Sequence, residues 1–244
     1  MTRKTLKLGH TNAKFVENNQ LIIVKEKNEF NHSLDYRLTQ QFSFVPTLIK
    51  ESKTEIHWEL IDAHQLKNPI ASDLVTIGKM LAQIHQSNIK FPKNNLRRRV
   101  NYYLKIINEQ KIKIPEIENN YRFMVKVLSK MRLSFPCHND VWPDNLIKDK
   151  QNKIWLVDWE YATMGDPYYD LAYWIESARL NHEQETIFLN AYFKDMQLFA
   201  LDETILQKYK MFCNWITLCW AYAQPGGPPF DLTTIKNFLN NYHR

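Results

Sequence analysis

The chain has 244 residues, of which 44% are hydrophobic, so it can form one large domain or two small lobes with a substantial core. No apolar run reaches the roughly 18 residues of a transmembrane helix, and Met1–Leu8 lacks the apolar segment of a signal peptide. Three cysteines are too few for a disulfide framework, so we expect a cytoplasmic protein without stable membrane insertion. The net charge of +6 does not indicate a nucleic-acid partner, because the dense basic run Arg97–Arg99 is predicted to lie on a solvated helix face.

The start of the chain has the features of a small β-rich lobe, which we place at residues 1–62. Two β-rich segments, Phe15–Val16 and Leu21–Lys25, flank a polar turn and predict a hairpin. The segment Gly9–Asn12 comes just before them. Its single glycine fits a turn whose backbone amides meet a phosphate, but taken alone the segment favours a plain hairpin turn.

A lysine and a carboxylate follow the hairpin. Lys25 closes the second strand, and the segment Asn31–Phe42 predicts a short helix that carries Asp35. Kinase-like folds hold the phosphates of ATP with a strand lysine that faces a helix carboxylate. By spacing alone, two solvated charges explain Lys25 and Asp35 equally well.

Residues 63–244 are expected to form a larger, mainly helical lobe. The predicted strand Trp58–Ile61 leads into the polar segment Asp62–Gln65, which we interpret as a hinge between the lobes. Beyond it, apolar residues recur at helical spacing, and Asp166 before Pro167 is a signal for a helix start. The helices predicted by periodicity cover residues 71–86, 96–110, 120–131, 183–196, 203–222 and 231–242.

The stretch Cys137–Asp170 carries the chemistry of the chain. It has the pattern H-x-D-x-x-x-x-N, followed by an apolar run that ends at Asp158. Mg²⁺ prefers carboxylate and amide oxygens together with water and substrate phosphates, so Asn145 and Asp158 suit a magnesium site. Asp140 is then left to orient a hydroxyl and accept its proton. The pattern therefore predicts ATP-dependent phosphorylation of an alcohol.

Three motifs in this region support a family resemblance. C-H-N-D-V-W-P-D-N, V-D-W-E-Y-A and G-D-P-Y-Y-D-L-A resemble the choline and ethanolamine kinase branch of the aminoglycoside phosphotransferase family, and bacterial choline kinases in particular. Weaker matches, G-H-T-N, I-I-V-K, L-I-D-A-H-Q-L and I-G-K-M-L-A-Q-I-H, extend the resemblance over nearly the whole chain. The resemblance implies an α+β, bilobal protein-kinase-like fold that uses ATP and Mg²⁺.

The same resemblance implies a role for each matched residue of the catalytic stretch. Asp140 is the catalytic base, and Asn145 and Asp158 are the ligands of Mg²⁺. His138 and Asp170 are structural residues that brace the catalytic loop.

Further matches imply the nucleotide contacts. Lys25 contacts the ATP phosphates, and Asp35 stands where the family has a helix glutamate. The remaining implied contacts are Thr11 and Asn12 at the end of the phosphate loop, and the backbone from Glu59 to Ile61 beside adenine.

Aromatic residues provide the candidates for substrate recognition. A quaternary ammonium has no hydrogen-bond donor, so aromatic faces and nearby carboxylates recognise it best. The resemblance matches Tyr161 and Trp220 to residues that line the choline pocket of the family, and Trp142 and Glu176 complete the candidate set. Core packing is the competing interpretation of any aromatic residue at helical spacing, and we favour it for Trp215.

The sequence thus predicts a kinase that converts choline, a small cationic alcohol, to phosphocholine. Thiamine, ethanolamine and aminoglycoside kinases of the same fold are alternatives, because V-D-W-E-Y-A does not separate choline from thiamine. A catalytically silent protein that binds a cationic ligand is the alternative outside the enzymes, and a nucleic-acid-binding module is a distant third. The sequence leaves the oligomeric state open, but the intact set of Asp140, Asn145 and Asp158 favours an active kinase.

Overall fold

A five-stranded antiparallel sheet forms the small lobe in the computed structural model, which describes residues 3–6 and 12–241. Two strands make the predicted hairpin, and its turn residues Asn18 and Asn19 have φ values of 49° and 56°. Two consecutive left-handed residues suit the twist of a two-residue hairpin turn, and asparagine tolerates this conformation. In chain order the strands are β1 (Lys4–Leu6), β2 (Ala13–Glu17), β3 (Gln20–Val24), β4 (Leu48–Glu51) and β5 (Glu55–Glu59).

The segment between β3 and β4 differs from the prediction. Instead of a helix over Asn31–Phe42, a loop is followed by a 3₁₀-helix, Tyr36–Gln41. The side-chain oxygen of Asn28 accepts two backbone amides of this loop, at 2.7 and 3.2 Å. These local hydrogen bonds offer the backbone an alternative to a helix. Asp35 consequently caps the start of the 3₁₀-helix and does not lie within an α-helix.

Helices dominate the large lobe, and most of their bounds are close to those predicted. The largest difference is at the third helix, which begins at Pro115 because proline suits the first helical position. Among the described residues, no helix combines the length and the apolar character needed to cross a bilayer. The helices are α1 (Ala71–Gln86), α2 (Leu96–Glu109), α3 (Pro115–Ser129), α4 (Pro167–Ser177), α5 (His182–Asp195), α6 (Glu203–Tyr222) and α7 (Thr233–Asn241).

Two small antiparallel sheets of the large lobe hold the catalytic stretch. One pairs β7 with β10, and the other has the order β6-β8-β9. Because β7 ends just before His138 and β9 ends just before Val157, the two sheets fix both ends of the polar segment. The strands are β6 (Ala63–Gln65), β7 (Phe135–Cys137), β8 (Leu146–Asp149), β9 (Ile154–Leu156) and β10 (Thr163–Gly165).

One continuous hydrophobic core connects the two lobes. Phe42 stacks on Phe44 and on Trp159, with ring centroids 5.3 and 6.0 Å apart. This packing anchors the catalytic stretch to the segment that precedes β4. The predicted α+β architecture, with a β-rich first lobe and a helical second lobe, is confirmed. The three cysteines are buried and unpaired: Cys137, Cys213 and Cys219.

Candidate active site

The loop that follows β7 brings Asp140 and Asn145 into contact. The amide nitrogen of Asn145 donates to a carboxylate oxygen and to the backbone carbonyl of Asp140, both at 2.9 Å. Because the nitrogen is used in this way, the amide oxygen of Asn145 is the atom left for a metal. Burial and, next, the charge of Asp158 raise the pKa of Asp140 to about 7. A pKa near the working pH suits a general base.

Asp158 lies just beyond β9 and binds a lysine from the small lobe. Its backbone is left-handed, with φ of 65°, a conformation that is uncommon outside glycine and concentrated at functional sites. Lys14 on β2 donates to Asp158 Oδ2 at 2.9 Å, and the two side chains are only 12% and 14% exposed. Burial disfavours the charged lysine, but Asp158, together with Glu160 and Asp140, outweighs it and raises the pKa of Lys14. A cation therefore neutralises the carboxylate that is predicted to bind Mg²⁺.

Asp170 on α4 holds the backbone of the catalytic loop. Its two oxygens accept the backbone amides of His138 and Asn139 at 2.8 and 2.7 Å. His85 Nε2 lies 3.1 Å from one of these oxygens, and both side chains are completely buried. Buried backbone amides require a partner, so the carboxylate fixes where the loop turns towards Asp140.

His138 connects the catalytic loop to the end of β9. Its Nε2 donates to the carbonyl of Val157 at 3.1 Å, and the ring is fully buried. The next residue, Asn139, has a left-handed backbone with φ of 61°. Together with Asp170, this contact joins the loop that carries Asp140 to the strand end that precedes Asp158, and the bracing role of His138 and Asp170 stays a prediction.

Lys25 and Asp35 do not form the expected pair. Lys25 Nζ donates to Glu51 at 2.8 Å and to the carbonyl of Ser52 at 2.9 Å. Asp35 is 42% exposed and binds Arg37 at 2.7 Å. The physical reason is the loop that replaces the first half of the predicted helix, because it leaves Asp35 at a helix start instead of opposite β3. The nucleotide contacts assigned to Lys25 and Asp35 stay predictions.

Asn12, at the end of the predicted phosphate loop, belongs to a buried polar cluster, while Thr11 lies outside the described residues. The side-chain oxygen of Asn12 lies 2.8 Å from His32 Nε2. Asn31 donates to Glu160 at 2.8 Å. Burial and a neighbouring carboxylate hold the pKa of Glu160 above its ordinary range. The cluster thus links the small lobe to the catalytic stretch close to the predicted metal ligands.

The predicted adenine segment lies at the end of β5. Glu59 is exposed, and its carboxylate accepts the hydroxyl of Thr47 at 2.7 Å. Leu60 N lies 3.4 Å from the carbonyl of Asn19, which is a long hydrogen bond, and Ile61 is half-buried. Glu59 and Ile61 do not line the cavity beside Asp140, and their contact with adenine remains a prediction.

A cavity of about 750 Å³ connects the catalytic residues to aromatic side chains. Its lining includes Asp140 and three rings, which we call the aromatic cluster: Trp142, Trp220 and Phe230. The centroid of Phe230 lies 6.3 Å from that of Trp142 and 6.1 Å from that of Trp220. Each aromatic face attracts a nearby cation through its quadrupole. Trp215, by contrast, is fully buried, as the core interpretation predicts.

Two other predicted substrate residues line the same cavity, but each has a cation of the protein beside it. The ring of Tyr161 has the guanidinium of Arg99 4.7 Å from its centroid. The carboxylate of Glu176 accepts Asn214 Nδ2 at 2.6 Å and lies 3.6 Å from Lys210 Nζ. A ligand cation at either residue would therefore meet a like charge.

The fold and the site define the class of protein. The chain has a β-rich lobe followed by a helical lobe. A buried pair, Asp140 and Asn145, lies in the catalytic loop, and Asp158 follows a strand end. This combination is typical of a kinase that acts on small molecules. A family model described as the phosphotransferase enzyme family matches residues 34–204, which is more than half of the chain. The chain belongs to this phosphotransferase family.

Individual relatives are similar to this chain over nearly its whole length. A LicA homologue of Mycoplasma capricolum is 37% identical over 96% of this chain and 94% of its own length. A second LicA homologue, from Metamycoplasma hominis, is 38% identical over 96% and 93%. The solved choline kinase LicA from Streptococcus pneumoniae shares the fold, with a TM-score of 0.76, 21% identity and coverage of 98% and 94%. The predicted membership of the phosphotransferase family is confirmed, and the LicA relatives support its choline kinase branch.

The sequence reasoning missed much of the cavity lining, including three residues that matter for the proposed chemistry: Lys14, Arg99 and Phe230. Lys14 is one residue in an ordinary strand, and nothing local indicates that it reaches Asp158. Phe230 follows a proline-glycine run about ninety positions after Asp140 and had no pattern to mark it. Arg99 did have a signal, because it shares a helical face with the apolar residues Leu96 and Tyr103.

Proposed function

We propose that this protein transfers the γ-phosphoryl group of ATP to the hydroxyl of choline and forms phosphocholine. The observation that carries the proposal is one cavity that reaches from the buried carboxylate of Asp140 to the aromatic cluster. A cationic alcohol has two ends that need such a site, a hydroxyl that requires a base and an ammonium that requires aromatic faces.

The proposed reaction is an in-line displacement at phosphorus. The alcohol oxygen bonds to the γ-phosphorus, and the bond from that phosphorus to the bridging oxygen breaks. ADP leaves with this oxygen and its electron pair, and the hydroxyl proton passes to Asp140. Because Asp140 has a pKa of about 7, a large fraction of it is available as a base at neutral pH.

The residues beside Asp140 fit a magnesium site. Asp158 offers a carboxylate and Asn145 offers its amide oxygen, which are ligands that Mg²⁺ accepts together with phosphate oxygens. The ammonium of Lys14 on Asp158 indicates that this carboxylate requires a cation. Bound Mg²⁺ supplies neutralisation of the charge on the phosphate oxygens during transfer.

The aromatic cluster supports choline over multiply charged substrates. The three rings of the cluster contact one another in the cavity lining, whereas the carboxylate of Glu176 is already shared with Lys210 and Asn214. An aminoglycoside carries several ammonium groups and requires several free carboxylates. Thiamine is the second candidate, because its cationic ring also stacks on aromatic faces.

A panel of alcohols tests the proposed substrate. ADP release with Mg·ATP should be faster with choline than with ethanolamine, thiamine or an aminoglycoside. Trp220→Leu should lower kcat/KM for choline by about ten-fold, since a cation near an aromatic face contributes roughly 0.5–2 kcal/mol. Trp155→Leu is the matched control, because Trp155 lies outside the cavity. Stimulation by thiamine alone, with none by choline, would refute the substrate and leave the kinase class intact.

Lys14 gives a second prediction, in which two affinities change in opposite directions. Lys14→Met should raise the affinity for free Mg²⁺, because a competing cation is removed from Asp158. We further propose that the Lys14 ammonium binds the nucleotide phosphates once Mg²⁺ occupies Asp158, so the same variant should lower the affinity for Mg·ADP by about ten-fold through the loss of that charge-assisted contact. Isothermal calorimetry measures both affinities.

Lys25→Met is the companion variant, since Lys25 is bound to Glu51 and lies outside the cavity lining. If Lys25→Met abolishes Mg·ADP binding while Lys14→Met leaves it unchanged, the phosphate contact belongs to Lys25, as the sequence resemblance implies.

A further inference from the structure

We infer that Arg99 binds the transferred phosphoryl group and thereby recognises the phosphorylated product; this inference rests on the proposed function. Arg99 belongs to a run of three arginines whose members differ in environment. Arg97 and Arg98 are exposed, and Arg98 pairs with Glu29 at 2.9 Å. Arg99 is only 7% exposed and lines the cavity together with Asp140.

The contacts of Arg99 leave part of its guanidinium unused. Its Nη2 lies 3.4 Å from the hydroxyl of Tyr169, and its plane lies near the ring of Tyr161. The Nε donor is buried and has no hydrogen-bond partner among the described residues. A buried cation without a paired carboxylate is costly, and a bound anion removes much of that cost.

The position of Arg99 identifies the anion. Asp140 lies beside the site of the acceptor hydroxyl, and phosphorylation places a phosphate on that hydroxyl oxygen. Arg99 and Asp140 line the same cavity, and so does Tyr169, whose hydroxyl lies 3.4 Å from Arg99 Nη2. A phosphate formed in this part of the cavity is therefore near the free guanidinium donor, and arginine matches phosphate oxygens geometrically.

Other cations of the site do not fill this role. Between Asp140 and Asn145 the catalytic loop contains Val141, Trp142, Pro143 and Asp144, and none is basic. Two other basic residues line the cavity: Lys14 is bound to Asp158 at 2.9 Å, and Arg179, two residues after α4, is exposed. Arg99 is consequently the cavity cation that is placed for the acceptor side of the reaction.

The position of Arg99 also determines how the substrate lies in the cavity. A quaternary ammonium is repelled by the guanidinium that covers Tyr161, so it lies in the aromatic cluster, away from Arg99. Before transfer, Arg99 faces a neutral hydroxyl and contributes little to the binding of the alcohol. After transfer, it faces a phosphate and contributes strongly.

Ligand pairs test this difference directly. Calorimetry should compare choline with phosphocholine on the wild type, Arg99→Met, Arg99→Lys and the matched control Arg98→Met. In Arg99→Met, the affinity for phosphocholine should fall by about ten-fold or more, because hydrogen bonds to charged groups are among the strong ones. The affinity for choline should stay within about three-fold, and Arg99→Lys should restore part of the phosphocholine affinity.

Each outcome decides the role of Arg99. Equal losses for both ligands, or no loss for either, would overturn the phosphate contact. Thermal unfolding of the variants separates these results from misfolding, and Arg99→Lys carries the test if Arg99→Met fails to fold. A wild-type protein that binds neither ligand overturns the proposed substrate and the Arg99 role together. A wild type that binds both, with no discrimination by the Arg99 variants, overturns the Arg99 role alone.

Discussion

Asp140→Asn should reduce kcat by about a thousand-fold, while the protein remains folded and binds nucleotide. General-base catalysis contributes roughly 10²–10⁴-fold in rate, and asparagine cannot accept the hydroxyl proton. The change keeps the shape of the side chain, and Asn145 can still donate to its oxygen, as it does to Asp140 at 2.9 Å. Steady-state rates of ADP release measure the loss, and calorimetry with Mg·ADP measures nucleotide binding.

A matched control is Asp62→Asn, which removes one carboxylate at a position that is 81% exposed. Its rate should stay close to that of the wild type. If Asp140→Asn retains more than about one tenth of kcat, Asp140 is not the base, because even the smallest general-base contributions exceed this factor.

Asp170→Ala should destabilise the fold by about 3–5 kcal/mol. The substitution removes a fully buried carboxylate that accepts the amides of His138 and Asn139 and contacts His85. Losing one member of a buried charged network leaves its partners without hydrogen bonds, which is strongly unfavourable. Urea unfolding measures the free energy of unfolding, and the midpoint should decrease in proportion.

Asp170→Asn should be intermediate, because one carbonyl oxygen remains to accept an amide. Glu183→Ala is the control, since Glu183 is exposed in the first turn of α5 and should change stability by less than about 1 kcal/mol. An Asp170→Ala variant that is as stable as this control would show that the carboxylate does not brace the catalytic loop.

The catalytic residues were predictable because their geometry is local. Asp140 and Asn145 are five positions apart in one short loop, so the sequence alone keeps them together. To predict that Asp158 lies near them, one further inference was needed: the apolar run Ile154–Val157 forms a strand that pairs with a neighbouring short strand. The bounds of most helices could also be predicted, because periodicity and capping residues act over a few positions of the sequence.

Contacts between distant segments were not predictable in the same way. The pairing of Lys25 with Asp35 depended on an α-helix that the side chain of Asn28 replaces with a local turn. Lys14 lies on a strand that faces Asp158 only after the two lobes pack together. Phe230 joins Trp142 and Trp220 through the path of the chain after α6, which no short-range pattern encodes.

For Arg99 the sequence contains two conflicting signals, its charge and its position on the helix. A run of three basic residues indicates a solvated helix face, whereas the helical phase places Arg99 with Leu96, Val100 and Tyr103 on the buried face. In the structure Arg99 is buried, as its helical position predicts, whereas Arg97 and Arg98 are exposed, as their charge predicts. A charged residue that falls on the apolar side of a predicted helix is thus a useful indicator of a site.

Phosphorus NMR of the reaction mixture tests the central claim most directly. Protein incubated with Mg·ATP and choline should yield ADP and one new phosphomonoester signal that coincides with added phosphocholine, and Asp140→Asn should yield neither at a comparable rate. Release of inorganic phosphate without phosphocholine, or a phosphoester formed only with another alcohol, would contradict the assignment of choline as the acceptor.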